Sequence, residues 1–385
     1  MAIDNALEPF TISIEQSAID DLHDRLARTR WPDPQPTDDW SYGIPLDYTR
    51  ELATYWRDHY DWRAAEARLN RHPQFVTTVD GARVHFVHVR SARSDATPLL
   101  LTHGWPGSFV EYVDLVDAFT DPPADRPAFH VVVPTIPGFG FSGHTIDTGW
   151  GPERVARGWR DLMAKLGYPK FVSHGGDWGA NITHAMMRVV PDALLGAHLT
   201  MLRSGVPKPT IDTSGLDDAE RERVRLSLAR SEELQREERG YSSIQSTKPQ
   251  TLAYGLADSP VGQLAWIVEK FRTWTDCDGV PENAVDRDRL LTNVSIYWFT
   301  NTAGSSARIY YERAHSDGWG KEPEPSTVPT AVMVFPHDLY LPVRSVAEQY
   351  DNIVRWIDAD SGGHFAALER PEAVIDDIRA FVEQL

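Results

Sequence analysis

One carboxylate stands where the chain could present it as a nucleophile. Asp177 lies in SHGGDWGANI, with Gly175 and Gly176 before it and Gly179 two residues after it. An apolar run precedes this stretch and a helix-like run follows it, which is the strand–turn–helix context in which hydrolases present a nucleophile. An Asp that merely caps the helix is the plainer interpretation, but a cap does not require crowded glycines. We therefore predict that Asp177 is a nucleophile, kept ionised by the positive end of the helix.

Two further residues could complete a triad with Asp177. Asp338 and His364 each follow an apolar, strand-like run. The order nucleophile, acid, histidine is that of the α/β-hydrolase triad, in which the acid orients the histidine. His337, beside the acid, and Asp360, at a strand end, are the alternatives. Lone histidines are usually structural, and we interpret four others in this way: His103, His174, His184 and His315.

The segment HGWP, at residues 103–106, could supply backbone N–H donors to the same site. It follows an apolar run and opens a helix-like one. A turn here can aim the N–H of Trp105 at the pocket, beside the N–H of Trp178, the residue after the predicted nucleophile. Two such donors would form an oxyanion hole, which stabilises charge that develops in acyl transfer. An ordinary tight turn after a strand is the alternative.

A glycine pattern later in the chain has the spacing of a dinucleotide-binding loop. Gly138, Gly140 and Gly143 have GxGxxG spacing after an apolar run. A dinucleotide fingerprint opens a helix at once, whereas the next helical pattern here begins only near Pro152. The chain also has no HExxH, no CxxC pair and no P-loop. We therefore expect no nucleotide cofactor and no metal.

Composition restricts the partners and the compartment. The 385 residues carry a formal net charge of −18, which argues against nucleic acid as a partner. Cys277 is the single cysteine, so no disulfide can form within the chain. The N-terminus has neither a basic nor an apolar targeting region, and no apolar run approaches the ~20 residues that span a bilayer. We expect a cytoplasmic protein without a membrane partner; the sequence leaves open whether it forms a homodimer.

The elements that must position these residues fall into an α/β pattern. Near-continuous apolar runs alternate with helical patterns, which predicts a mostly parallel sheet covered on both faces. Strand signals fade between about residues 206 and 320 and then resume. This predicts a helical cap over the carboxyl ends of the strands, where pockets in such sheets lie. The predicted division is an N-terminal helical segment, a first core part, a cap and a second core part, at 1–72, 73–205, 206–320 and 321–385.

Together, these motifs resemble the microsomal-type epoxide hydrolases. The resemblance covers nearly the whole chain, including its N-terminal region, and rests on HGWPGS, GGDWG, SPVGQLAWIVEKF, FPHDL and GGHFAALERPE in this order. It implies an α/β-hydrolase fold, an aspartate nucleophile and the conversion of an epoxide to a vicinal diol without a cofactor. The anchor helix of membrane-bound members has no counterpart here, so the chain resembles the soluble bacterial branch. Some members have Glu as the triad acid, where this chain has Asp338.

The resemblance also implies two tyrosines in the cap that hydrogen-bond the epoxide oxygen. Tyr241 lies at the matching distance before TKP. In RIYYERA the family pattern points to Tyr310 rather than to its neighbour Tyr311. Either tyrosine could instead be an ordinary residue of the cap core.

A carboxylate suits this reaction better than a serine would. Attack by Asp177 on a saturated carbon leaves an ester, which water activated by His364 can hydrolyse, whereas serine would leave a stable ether. The tyrosines would protonate the oxygen as the ring opens. A haloalkane or haloacid dehalogenase shares the Asp and the His but needs N–H donors for a halide. A catalytically silent fold, used as a receptor or binding module, need not keep the triad.

Overall fold

The computed structural model describes residues 7–385, so the first six residues of the predicted N-terminal segment lie outside it. Nine strands in this range form one sheet: β1 (Glu8–Phe10), β2 (Gln74–Val79), β3 (Ala82–Val89), β4 (Thr97–Thr102), β5 (Phe129–Pro134), β6 (Phe171–Gly175), β7 (Leu194–Leu199), β8 (Pro329–Val334) and β9 (Asn352–Asp358). The spatial order is β1-β2-β3-β5-β4-β6-β7-β8-β9. β1, β2, β3 and β5 pair antiparallel in turn, and the other pairs are parallel. The predicted mostly parallel α/β sheet is confirmed.

The helices of the described range fall before, between and after these strands. They are α1 (Gln16–Ala27), α2 (Leu46–Asp58), α3 (Trp62–Leu69), α4 (Val110–Val113), α5 (Val116–Thr120), α6 (Pro152–Lys165), α7 (Asp177–Val189), α8 (Asp218–Glu233), α9 (Gly240–Thr247), α10 (Pro249–Asp258), α11 (Pro260–Trp274), α12 (Arg287–Thr300), α13 (Ala303–Ser306), α14 (Arg308–Ala314), α15 (Arg344–Ala347), α16 (Ala366–Glu369) and α17 (Pro371–Val382). A π-helical turn at Leu234–Glu238 joins α8 to the segment before α9.

The central strands are apolar because both of their faces are covered. Every residue of β6 is buried, as are the last four residues of β4. Helices α5, α6, α7 and α17 pack against the sheet. Near-continuous apolar strands are typical of sheets that are buried on both faces. Because β4, β6, β8 and β9 all run parallel, their carboxyl ends lie at one edge of the sheet.

The N-terminal helices pack on the long insertion between β7 and β8. Helices α1 and α2 contact α11, and α3 contacts α12. The indole of Trp56 donates a hydrogen bond of 2.9 Å to the Ser295 hydroxyl, and the hydroxyls of Tyr60 and Thr292 are also 2.9 Å apart. β1 extends the same segment onto the sheet by pairing with β2. The segment is therefore joined both to the sheet and to the insertion.

A buried ion cluster ties α7 to the chain just before β9. The Asp351 side chain is fully buried and accepts hydrogen bonds from Arg188 at 2.7 Å and Ser204 at 2.6 Å. The His184 ring lies 3.2 Å away. Burial would raise the pKa of Asp351, but the contacts with His184, Ser204 and Arg188 outweigh it and lower that pKa to about 2.

Candidate active site

Asp177 occupies a sharp turn between β6 and α7. Its φ angle is +47°, a left-handed conformation that is uncommon for a residue other than glycine. The N-cap of α7 is Gly176 rather than Asp177. A Cβ atom on Gly179 would overlap the Thr102 carbonyl, and one on Gly176 would come within 2.8 Å of the Thr200 hydroxyl. The glycines therefore let the turn pack directly against neighbouring strands and aim the carboxylate beyond the sheet.

The Asp177 carboxylate lies among donors. The N–H of Trp105 donates a hydrogen bond of 2.8 Å to its Oδ1, and Nε2 of His364 lies 3.4 Å from its Oδ2. Trp178 is the second residue of α7, and N–H groups of a first helical turn have no intrahelical acceptor. The two oxygens of Asp177 thus differ: Oδ1 faces the backbone donor and Oδ2 faces the histidine.

His364 and Asp338 form a buried pair. Nδ1 of His364 lies 2.6 Å from Oδ1 of Asp338, and the two side chains are 1% and 4% exposed. Burial lowers the pKa of His364, but the Asp338 charge and the interactions with Asp177 outweigh burial and raise that pKa well above its ordinary value. The same Asp338 oxygen accepts the N–H of Leu339 at 2.7 Å, which fixes its orientation. The structure brings the three predicted triad residues together.

The loop of His364 is held by a carboxylate that the sequence analysis missed. Glu369 accepts hydrogen bonds from the N–H groups of Asp276 at 2.8 Å, Gly363 at 2.9 Å and Phe365 at 3.0 Å. Burial raises the pKa of Glu369 to about 7 against the effect of these donors. Its place five residues after His364, within GGHFAALERPE, is a signal that could have pointed to it.

The end of α11 supports the same loop from the other side. The carbonyl of Trp274 accepts the N–H of His364 at 2.8 Å, and the two rings pack edge to face at 5.1 Å. Just after α11, the Asp276 carboxylate accepts the N–H of Gly362 at 2.8 Å. The insertion therefore contributes directly to the placement of the histidine.

Two tyrosines from the insertion lie over Asp177. Tyr241 is the second residue of α9 and stacks on Trp105 at 5.0 Å, with ring planes 7° apart. Tyr310, on α14, packs edge to face against Tyr241 at 5.8 Å and against Trp178 at 4.6 Å. Burial first, and nearby Asp177 as well, raise the pKa of both tyrosines well above its ordinary value. Both phenols are therefore neutral donors at physiological pH.

The neighbouring tyrosine points elsewhere. Tyr310 is 7% exposed, and its buried hydroxyl makes no hydrogen bond of standard geometry within residues 7–385, although the Trp178 and Tyr241 side chains lie close enough to affect its pKa. Tyr311 is 38% exposed and stacks on His315 at 3.9 Å. Buried donors are normally satisfied, so the free Tyr310 hydroxyl beside Asp177 is the one placed to meet a substrate oxygen.

A second carboxylate missed in the sequence is buried beneath the HGWP turn. Glu111, on α4, is 8% exposed and accepts backbone N–H groups of Gly104 and Ser108. Burial raises its pKa to about 8, although the charge of nearby His364 opposes this shift. Glu111 is therefore mostly neutral at pH 7 and supports the turn that presents Trp105.

Two other features singled out in the sequence lie outside this arrangement. Gly138, Gly140 and Gly143 all have positive φ and lead into a short 3₁₀ turn, so no helix opens there. The His337 side chain is 59% exposed and lies 3.3 Å from Asp276. Across the described residues, no cluster of His, Cys, Asp and Glu has the grouping of a metal site. Nor does any helix there have the length and apolarity to cross a membrane.

Comparisons with known proteins point to epoxide hydrolases over nearly the whole chain. Residues 7–112 match the family model "Epoxide hydrolase N terminus", and residues 97–371 match the model "alpha/beta hydrolase fold". A protein of Stigmatella aurantiaca, described as a candidate epoxide hydrolase, is 45% identical over 98% of this chain and 85% of its own length. The structure of juvenile hormone epoxide hydrolase from the silkworm Bombyx mori superposes with a TM-score of 0.92 at 30% identity, covering 99% of this chain and 95% of that one. Aspergillus niger epoxide hydrolase gives 0.88 at 34% identity, covering 100% and 97%.

Proposed function

The chain belongs to the epoxide hydrolase family of the α/β-hydrolase fold, and we propose that it converts an epoxide to a vicinal diol through an ester on Asp177. One observation carries this proposal: a single carboxylate lies between a histidine–aspartate pair and two cap tyrosines, of which Tyr310 is buried and Tyr241 is half-buried. A carbon–halogen substrate is less suited to this site, because phenol O–H groups match an alkoxide better than a halide.

In the first step, Oδ2 of Asp177 attacks a carbon of the epoxide. The Trp105 N–H already holds Oδ1, so Oδ2 is the oxygen free to form the new bond. The ring carbon–oxygen bond breaks as the carbon–Oδ2 bond forms, and the Tyr241 and Tyr310 hydroxyls donate to the departing oxygen. One phenol gives it a proton, which makes it a hydroxyl group.

In the second step, His364 takes a proton from water, which attacks the Asp177 carbonyl carbon. The negative charge that develops on Oδ1 is stabilised by the N–H groups of Trp105 and Trp178. Asp338 stabilises the imidazolium that forms. The tetrahedral intermediate then releases the diol and regenerates the Asp177 carboxylate beside the imidazolium, the form that the raised pKa of His364 favours when Asp177 is ionised.

Ester formation itself prepares the histidine for this second step. Part of the elevation of the His364 pKa comes from its interactions with ionised Asp177. An ester at Asp177 carries no charge, so that contribution disappears and the pKa of His364 falls. The imidazolium can then pass its proton through solvent to the phenolate left by the first step, which restores the phenol and leaves a neutral histidine to take a proton from water.

The insertion would serve as the cap, with the domain division at 1–72, 73–205, 206–320 and 321–385. Its α9 and α14 supply the two tyrosines, and the ring of Trp274 closes one side of the site. Because the rings of Trp105 and Trp274 pack against Tyr241 and the ring of Trp178 packs against Tyr310, we expect an epoxide with an apolar or aromatic substituent.

The deciding experiment traps the ester on Asp177. His364→Gln should still react with styrene oxide, because Asp177 needs no base to attack, but should stop at the ester. Intact mass spectrometry should then show one substrate mass added. Asp177→Ala should gain no mass and form no diol. His337→Gln, beside the triad acid but exposed, is the matched control and should turn over normally. Normal diol formation by His364→Gln without an adduct would contradict the proposal.

A further inference from the structure

A buried cation lies behind one of the two tyrosines. The Lys270 side chain, on α11, is only 8% exposed, and its ammonium lies 2.6 Å from Glu269 and 3.1 Å from Glu238. A buried charge is costly unless it is paired, and Glu269 alone would pair it. The second partner, Glu238, is the last residue of the π-helical turn and stands three residues before Tyr241.

The same ammonium lies over aromatic rings of the site. Its distance is 4.9 Å from the Tyr241 ring centroid and 5.7 Å from that of Trp274. Cation–π contacts strengthen when the cation is desolvated, as it is here. Tyr241 is therefore restrained by the stacked Trp105 ring, by the Lys270 ammonium and by the Glu238–Lys270 ion pair close to its own backbone.

The position of Lys270 on its helix connects it to the histidine as well. Lys270 and Trp274 are four residues apart on α11, so they share one face. Trp274 holds the His364 backbone through its carbonyl. In addition, π-helical turns are rare and occur often at functional sites, and the turn at Leu234–Glu238 ends on the Lys270 partner. A buried lysine paired with Glu269 alone would need neither the contact with Glu238 nor the position over the Tyr241 ring.

We propose that Lys270 is a positioning residue for ring opening: it fixes the Tyr241 ring so that its hydroxyl meets the epoxide oxygen. This inference rests on the proposed function, in which Tyr241 donates to that oxygen. Lys270 acts on the first step, because its ammonium lies closer to the Tyr241 ring than to that of Trp274, whereas the second step depends on the Trp274 carbonyl, His364, Asp338 and the backbone donors.

The test is single-turnover kinetics with styrene oxide, resolving ester formation from ester hydrolysis. Lys270→Met keeps the length and apolar stem of the side chain and should slow ester formation by ~tenfold to thirtyfold. Hydrolysis of the ester should keep its rate. Lys270→Arg retains the cation and should recover most of the loss. Lys248→Met, which changes an exposed lysine of the same insertion, should react at the normal rate.

A double-mutant cycle separates positioning from general weakening of the cap. In a Tyr241→Phe background the hydroxyl is absent, so Lys270→Met should cause no further slowing. In a Tyr310→Phe background it should cause its full effect. Equal slowing in both backgrounds, or slowing of both chemical steps, would overturn the inference. Unchanged ester formation in Lys270→Met would do the same.

Two further results keep the test decisive. If Lys270→Met does not fold, as judged by thermal unfolding, Glu238→Gln removes the tie to the π-helical turn and keeps the cation. That variant should slow ester formation alone, and a normal rate would count against Lys270. If Tyr241→Phe forms ester at the wild-type rate, the proposed role of the tyrosine fails, whatever Lys270 does.

Discussion

Replacing Glu111 by Gln should change how the stability of the protein depends on pH. Glu111 is buried under the HGWP turn, and its pKa is raised from 4.5 to about 8. Gln has nearly the same shape, keeps an acceptor for the backbone N–H groups, and does not ionise. The substitution therefore removes one titration and leaves the packing in place.

The sign and size of the effect follow from linkage. A raised pKa in the folded state contributes stability that is complete below the unfolded pKa and is lost as pH rises towards the folded pKa. Wild type should therefore lose stability relative to Glu111→Gln between pH 4.5 and pH 8. The loss approaches ~1.4 kcal/mol for each pH unit, which gives about 2.5 kcal/mol between pH 5 and pH 7.

Urea unfolding followed by tryptophan fluorescence measures this difference directly. Both proteins would be unfolded at pH 5, 6, 7 and 8, and equal slopes against urea would show that the unfolded states are comparable. The exposed Glu232→Gln should show no such trend. A difference between wild type and Glu111→Gln that stays constant over this range would refute the reasoning, because Glu111 would then be ionised in the folded protein.

Two further predictions concern stability elsewhere. Asp351→Asn should reduce the free energy of unfolding by ~3 kcal/mol or more at pH 7, because Arg188 is left buried without its partner. Since the pKa of Asp351 is lowered, this loss should shrink as pH falls from about 4 towards 2, which thermal unfolding at several pH values would check; a constant loss would contradict the ion pair. Gly179→Ala should cost more than ~4 kcal/mol or prevent folding, because its Cβ would overlap the Thr102 carbonyl. Soluble yield and melting temperature measure this effect, and Gly240→Ala, where a Cβ meets nothing within 4 Å, is the control. Equal melting temperatures for Gly179→Ala and Gly240→Ala would refute the crowding argument.

The arrangement of the triad could be predicted because it depends on strand order and little else. Asp177, Asp338 and His364 each follow an apolar strand, and parallel strands bring their carboxyl ends to one edge. The structure places the three side chains in contact there. Their chemical roles, like those of Tyr241 and Tyr310, stay predictions until the variants are measured.

Other parts depend on packing that no local pattern records. β1 has three residues, and β2 mixes Gln and Thr with apolar residues, so neither has the sequence pattern of a buried strand. Glu111, Glu369 and Lys270 belong to residue types that are usually exposed. Their partners are backbone N–H groups and carboxylates of turns close in sequence, together with Asp276 for Glu369 and Glu238 for Lys270. The turn geometry that aims these groups at the three side chains is set only by the folded chain.

The contact between the end of α11 and the His364 loop limits how this enzyme can be recombined with its relatives. The Trp274 carbonyl and the Asp276 carboxylate hold the loop that follows β9. A chimaera that exchanged the whole insertion for that of a relative would replace the residues that hold the His364 loop as well as those that contact the substrate. Crossover points should therefore leave α11 and the loop at residues 362–365 with the same parent. Selectivity can then be exchanged through α8–α10 and α12–α14 while the hydrolytic half of the reaction keeps its own geometry.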